Sequence, residues 1–268
     1  LSMNVAVSAI VARRKGEGDR EGANRVLRQA ILLTVLLSVV ITAAALLLAE
    51  PALRLAGTNE DTHGLATGYF RIIVGCQIFS VMNMVINAAQ RGVGNTKIAM
   101  RTNITSNLVN IVCNYLLIGG HFGFPALGVN GAAIATVIGT VVACGMALRS
   151  VTHPDSFLYL FHGSQKRGFD ADTLRGIANI GSSTLAEQLF LRFGFLMYTM
   201  VVARLGTNAF AAHQIGMNII TISFAFGDGL SVAAVSLAGQ SLGEKRPDLA
   251  KVYGGFCQRL GFLCSAAL

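Results

Sequence analysis

The chain has 268 residues, of which 53% are hydrophobic and only 13% are charged, about half the charged share of an average soluble domain. This composition excludes a soluble globular, disordered or collagen-like protein and indicates a helical integral membrane protein. The formal net charge of +8 does not indicate nucleic-acid binding, because the basic residues cluster in alternate loops between apolar spans.

The first half of the chain predicts membrane helices separated by polar turns. Residues 1–12 are apolar but too few to span a bilayer, and we interpret them as the end of a truncated helix. The charged segment 13–28 follows, with a turn predicted at about Gly16–Gly18. Uncharged runs follow at 29–49, 72–90 and 102–148, with a polar loop at 50–64. The last run exceeds the roughly 20 residues of one span, and Pro125 within 119–128 predicts a break into two helices.

The second half begins with the polar connector 149–175, the one credible boundary between two halves of the chain. A helix from 176 to 204 is predicted next, and it carries Glu187 and Arg192. After a turn at Gly206, a helix from about 207 to 242 carries Asp228 between two glycines. A charged turn and a last apolar helix complete the chain, and we expect the chain to be a fragment of a longer protein.

The basic residues predict the orientation in the membrane. Most of the lysines and arginines fall in the loops 13–28, 91–101, 149–175 and 244–251. The alternate loops hold few of them. Because cytoplasmic loops carry an excess of Lys and Arg, we expect the four basic loops to face the cytoplasm.

A short internal repeat links the two ends of the chain. Ala6–Ser8 recurs as Ala234–Ser236, and Gly16–Glu17 recurs as Gly243–Glu244, about 228 residues later. A repeat of this length fits a transporter built from two related helix bundles.

Amide side chains follow one face of two neighbouring predicted helices. In the second helix they fall at steps of four, three and four, which places Asn103, Asn107, Asn110 and Asn114 on one face. The preceding helix carries Asn83, Asn87 and Gln90. Amides facing lipid would be costly, so these stripes either line a substrate cavity, which we favour, or join helices to one another.

Three charged side chains lie inside apolar runs, where each costs at least about 2.5 kcal/mol. Glu187 and Arg192 are five residues apart on one helix and diverge around its axis, which makes them poor partners. Asp228 lies at a depth similar to that of Arg192 in the next helix. We hypothesise that Arg192 neutralises Asp228 and that Glu187 binds H⁺ or Na⁺; the alternative is a purely structural ion-pair network.

Gln188, His213 and Gln214 complete the candidate cavity set. A lone histidine in a helix is more often a packing residue than a proton relay. The sequence shows no nucleophile–base pair, metal-ligand cluster or phosphate-binding loop. We therefore expect no enzyme activity, no cofactor, and no metal other than Na⁺ at Glu187.

Five segments carry motifs whose order along the chain is specific: Gln90–Thr96, Asn110–Ile118, Pro125–Thr136, Ala211–Ile215 and Gly239–Gly243. Together they resemble the multidrug and toxic compound extrusion (MATE) family over nearly the whole chain. Two positions depart from the pattern of that family. Ser182 stands where many members have proline, and Asn114 stands where many have an acidic residue.

The resemblance implies an all-α, polytopic membrane bundle of twelve helices in two pseudo-repeated lobes of six. Residues 1–150 would be the first lobe from late helix 2 to helix 6, 151–176 the cytoplasmic connector, and 177–268 the start of the second lobe with helices 7, 8 and part of 9. Glu187 matches the acidic position of helix 7 that the family uses for cation coupling.

The implied activity is export of amphipathic, often cationic, compounds in exchange for Na⁺ or H⁺. The protein would lie in the bilayer of the inner membrane and function as a monomer. A lipid-linked saccharide flippase of the same superfamily would share the fold but would need a more cationic cavity. An intramembrane enzyme would need a catalytic set, and a non-transporting scaffold would not need aligned amides or buried carboxylates.

Overall fold

The computed structural model describes residues 2–47, 60–123, 125–153, 156–160, 171–204 and 206–267. Within these ranges the secondary structure is helical, and a short 3-10 helix covers His121–Gly123. The α-helices are α1 Ser2–Gly16, α2 Arg20–Leu47, α3 Glu60–Gly75, α4 Gln77–Gly92, α5 Thr96–Gly119, α6 Gly128–Thr152, α7 Ala171–Ala203, α8 Thr207–Gly243 and α9 Pro247–Ala267. The all-α prediction is confirmed.

Several described helices are long and apolar enough to cross a membrane. They are α2, α6, α7 and α8, and the bent pair α3 and α4 adds a fifth span if it is counted as one. The asparagine-bearing helix α5 is not among them, because its amides lower the mean hydropathy. The protein is a polytopic helical membrane protein.

The uncharged run 72–90 is interrupted by a bend that the sequence did not predict. The helix breaks between Gly75 and Gln77, where α3 and α4 meet at an angle of 43°. Gly75 has no side chain to pack, and glycine inside a helix costs about 1 kcal/mol relative to alanine. The preceding loop prediction, 50–64, is only partly testable, because α3 already begins at Glu60 and residues 48–59 lie outside the described residues.

The other turns fall close to the predicted positions. The break between α5 and α6 is closed by a hydrogen bond from the Leu127 N–H to the Leu117 carbonyl oxygen, 2.9 Å long. The turn before α8 contains Gly206 with φ 102°, a conformation that favours glycine. The predicted connector 151–176 overlaps the last residues of α6 and the first of α7, and its residues 154–155 and 161–170 lie outside the described residues.

The first compact unit consists of Leu1–Val26, Arg91–Gly94 and Gln165–Leu268. Its core is α1, which packs against α7 and α8, while α9 packs against α8. The apolar side chains of α1 are fully buried at Ala6, Val7, Val11 and Ala12. The described part of α1 is thus the most buried element of this unit.

The second compact unit consists of Leu27–Gln90 and Asn95–Ser164. Its centre is the antiparallel pair α5 and α6, and α3 also packs on α6. Small residues of α6 allow the close approach, and they are buried at Gly131, Ala135, Gly139 and Ala143. The predicted division into lobes at 1–150 and 177–268 stays a prediction.

Candidate functional site

Glu187 lies near the middle of α7, and its side chain is exposed in this chain. It lines a groove of about 520 Å³ together with Phe190, Leu191, Gly194, Phe195 and Tyr198. These positions recur at steps of three and one, so the groove follows one face of the helix with Glu187 at one end and Tyr198 at the other. All six lining residues belong to α7, so the groove is open rather than enclosed.

Aromatic contacts link two residues of this groove to α8. Tyr198 meets the ring of His213 edge-on, with ring centroids 4.9 Å apart. Phe195 meets Phe224 in the same way at 6.5 Å. His213 therefore has an aromatic packing partner, whereas Gln214 is exposed and Gln188 is half-buried.

Arg192 and Asp228 are exposed on α7 and α8. Within the described part of the chain, the side chains of Arg192, Asp228 and Glu187 form no hydrogen bond and no ion pair. The hypothesis that Arg192 neutralises Asp228 therefore has no ion pair to support it in this structure. Few residues in the apolar stretches of these two helices are buried, so the described residues cover little of either helix. The coupling roles stay predictions.

The amides of α4 are buried and bonded to neighbouring helices. The Asn87 side chain donates to Asn83 Oδ1 and to Thr102 Oγ1, each at 3.0 Å. Gln90 Nε2 donates to Ser150 Oγ at 3.0 Å. The bonds to Thr102 and Ser150 join α4 to α5 and α6. This geometry agrees with the alternative in which the amides bond helices to one another. A cavity role for the three amides stays a prediction.

The asparagines of α5 divide into two pairs. Asn103 and Asn107 are exposed, whereas Asn110 and Asn114 are half-buried. Asn110 Nδ2 donates to Thr136 Oγ1 of α6 at 3.1 Å, and Asn114 Nδ2 donates to Asn110 Oδ1 at 3.0 Å. The Asn114 Oδ1 atom is buried and has no hydrogen-bond partner among the described residues.

No group of three or more His, Cys, Asp or Glu side chains within the described ranges is placed to hold a metal ion. Na⁺ at Glu187 stays a prediction.

Two polar side chains of α8 make contacts that the sequence reasoning did not anticipate. Ser236 and Gln240 donate hydrogen bonds to backbone carbonyl groups at the end of α4. Both lie in segments that the sequence singled out for other reasons, the internal repeat and a family motif. Every helix leaves unpaired carbonyl groups at its end. The end of α4 therefore needs hydrogen-bond donors from elsewhere, and this need is the signal that could have pointed to polar side chains such as these.

The fold and the groove define a polytopic α-helical membrane protein with a carboxylate and aromatic rings along one span. The MatE family model matches residues 1–116 and 184–268, and the chain belongs to this family, the MATE family of the sequence resemblance. The family match leaves 117–183 uncovered, which includes α6 and the connector.

Similar proteins carry names that describe drug resistance. The probable multidrug resistance protein NorM of Thermotoga maritima is 28% identical over 98% of this chain and 56% of its own length. The multidrug resistance protein PmpM of Pseudomonas aeruginosa is 28% identical over the same shares. A crystal structure of MATE in complex with MaD5 matches with a TM-score of 0.91 and 24% identity, over 99% of this chain and 59% of that one. The chain thus spans somewhat more than half the length of these relatives.

Proposed function

We propose that the protein is a secondary transporter that exports amphipathic organic cations in exchange for Na⁺ or H⁺ by alternating access. Membership of the MatE family and the names of the relatives support drug export as the class of activity. The observation that carries the substrate class is the groove in which Glu187 is followed by Phe190, Phe195 and Tyr198. A carboxylate attracts a cation, and aromatic rings attract both its charge and its apolar body.

A single carboxylate also explains exchange rather than simple uptake. Because Glu187 carries one negative charge, an organic cation and a coupling ion compete for it. If this site faces the two sides of the membrane in turn, binding of the coupling ion on one side releases the organic cation there. The proposal includes a monomer in the inner membrane, with the four basic loops in the cytoplasm.

Replacing Glu187 by glutamine tests this proposal. We expect Glu187→Gln to lower the export rate of a fluorescent organic cation about tenfold or more, since the carboxylate that both cations need is gone. Efflux is measured in cells that express the protein, with a Na⁺ gradient alone and with a pH gradient alone. Asp248→Asn is the matched control, because the Asp248 side chain is 66% exposed in the first turn of α9 and lies outside the groove.

Export by Glu187→Gln at the rate of the unchanged protein would contradict the coupling role of this residue. Failure of the unchanged protein to export any organic cation under either gradient would instead favour the flippase or the scaffold.

A further inference from the structure

The last carbonyl groups of α4 are bonded by side chains of α8. Ser236 Oγ lies 2.8 Å from the Arg91 carbonyl oxygen and 3.3 Å from that of Gly92, and Gln240 Nε2 lies 2.9 Å from the Gly92 oxygen. The terminal carbonyls of a helix lack partners within it, so these side chains supply donors that water would otherwise supply. Ser236 is 6% exposed, so its bonds are shielded from water.

The other side of the same turn lies against α1. A Cβ atom at Gly92 would be 2.6 Å from the Ser8 carbonyl oxygen and 3.2 Å from the Val11 Cβ, so the close approach depends on the absence of a side chain at this position. Both Ser8 and Val11 are buried. The turn Arg91–Gly94 is thus held between α1 and α8.

Helices α1 and α8 also touch each other through small residues. A Cβ atom at Gly239 would lie 2.8 Å from the Ala12 Cβ, and one at Gly243 would lie 2.9 Å from the Gly16 Cα. Gly16 and Gly243 are equivalent positions of the internal repeat. The two copies of the repeat therefore pack against each other. We call the contact of α1, α8 and the turn Arg91–Gly94 the junction.

We propose that the junction is the cytoplasmic gate of the transporter and that Ser236 and Gln240 are its latch. The inference rests on the proposed function, because alternating access requires the cytoplasmic side to close and open in each cycle. In the predicted lobes, α1 and the turn Arg91–Gly94 belong to the first and α8 to the second. Opening toward the cytoplasm therefore has to separate the latch from the Gly92 carbonyl.

The chemistry of the junction suits a contact that opens repeatedly. The latch bonds join uncharged groups, which exchange protein partners for water with a small net change in free energy. The glycines and alanines expose little apolar area when the helices part. A cavity of about 580 Å³ borders the junction between α1, α7 and α8, and its walls include Ala9, Gly176 and Ala238.

A disulfide across the junction tests whether it opens. The pair Ala12→Cys and Gly239→Cys is introduced into the protein after its native cysteines have been replaced by serine or alanine. The two Cβ atoms need to move apart by about 1 Å to reach disulfide geometry. We expect oxidation to abolish export of the organic cation and reduction to restore it. The single variant Ala12→Cys, treated with the same oxidant, is the control and retains export.

The outcomes separate the two proposals. If the cysteine-free parent exports no cation, the proposed function fails. If the parent exports and the oxidised pair exports at the same rate, the junction does not open during transport and the gate proposal is overturned.

Removing the latch tests the two side chains themselves. We expect Ser236→Ala combined with Gln240→Leu to raise, about tenfold, the rate at which an impermeant maleimide labels Ala12→Cys in inside-out vesicles. Ala12 is fully buried, so its labelling requires opening. Ser231→Ala, an exposed serine of the same helix, is the matched control. An unchanged labelling rate contradicts the latch, and this measurement stands even if the cysteine pair does not express.

Discussion

Asn87 shows how a buried amide stabilises one arrangement of membrane helices. Its Nδ2 atom donates to Asn83 in the same helix and to Thr102 in α5, and the residue is only 3% exposed. Polar side chains in a membrane that lack water bond to neighbouring helices. Asn103, which belongs to the amide stripe of α5, is exposed and makes no such bond among the described residues.

This difference between Asn87 and Asn103 predicts that only one of the two alanine variants lowers the stability of the protein. We expect Asn87→Ala to lower the free energy of unfolding by about 1 kcal/mol, since it removes donors and leaves Thr102 with one partner fewer. The thermal midpoint of the purified protein in detergent would fall by about 2–4 °C. Asn103→Ala would leave the midpoint unchanged. Equal midpoints for both variants would argue that Asn87 has no role in joining helices.

At the scale of the element, the pair α5 and α6 depends on the missing side chains of glycine. A Cβ atom at Gly139 would lie 2.7 Å from the Ser106 carbonyl oxygen and 3.4 Å from the Asn110 Cβ. Small residues at four-residue steps form this packing face, and they are buried. The close approach also lets Asn110 reach Thr136.

Enlarging Gly139 therefore separates the two helices. We expect Gly139→Leu to destabilise the protein by about 1–3 kcal/mol, the usual cost of overpacking, as measured by thermal unfolding. Gly145→Leu in the same helix is the control, because a Cβ atom there meets nothing within 4 Å. Both changes replace a helical glycine by leucine, so the difference between their unfolding midpoints reports the effect of packing at Gly139. Similar midpoints for the two variants would rule out a tight contact at Gly139.

At the scale of the whole molecule, the alternation of basic and non-basic loops defines the proposed orientation. The turn between α8 and α9 carries Glu244, Lys245 and Arg246, and Asp248 follows in the first turn of α9. The turn between α5 and α6 carries no lysine or arginine, and its Phe122 is 87% exposed. Positive loops stay on the cytoplasmic side during insertion.

The orientation predicts which turns a membrane-impermeant reagent reaches. In a cysteine-free background, we expect Phe122→Cys to be labelled in intact cells and Asp248→Cys only in inside-out vesicles. Mass tagging of the labelled protein gives the readout. Labelling of both positions from the same side would contradict the topology.

The sequence alone determined the helical membrane class, the order of helices and turns along the chain, the alternation of loop charge and the MATE resemblance. These features depend on local composition and on motifs read along the chain. The break between α3 and α4 was not anticipated, because a single glycine inside an apolar run does not always interrupt a helix.

Only the tertiary structure showed that the amides of α4 bond to α5 and α6, and that Ser236 and Gln240 reach the end of α4. The bond from Ser236 to Gly92 joins residues 144 positions apart. Such contacts depend on how helices pack, which hydropathy and spacing along one helix do not specify. The physical reason is that a polar helix face inside a membrane must be covered by other protein groups. Which helix covers it depends on the packing of the whole bundle, and the sequence of one helix does not specify that packing.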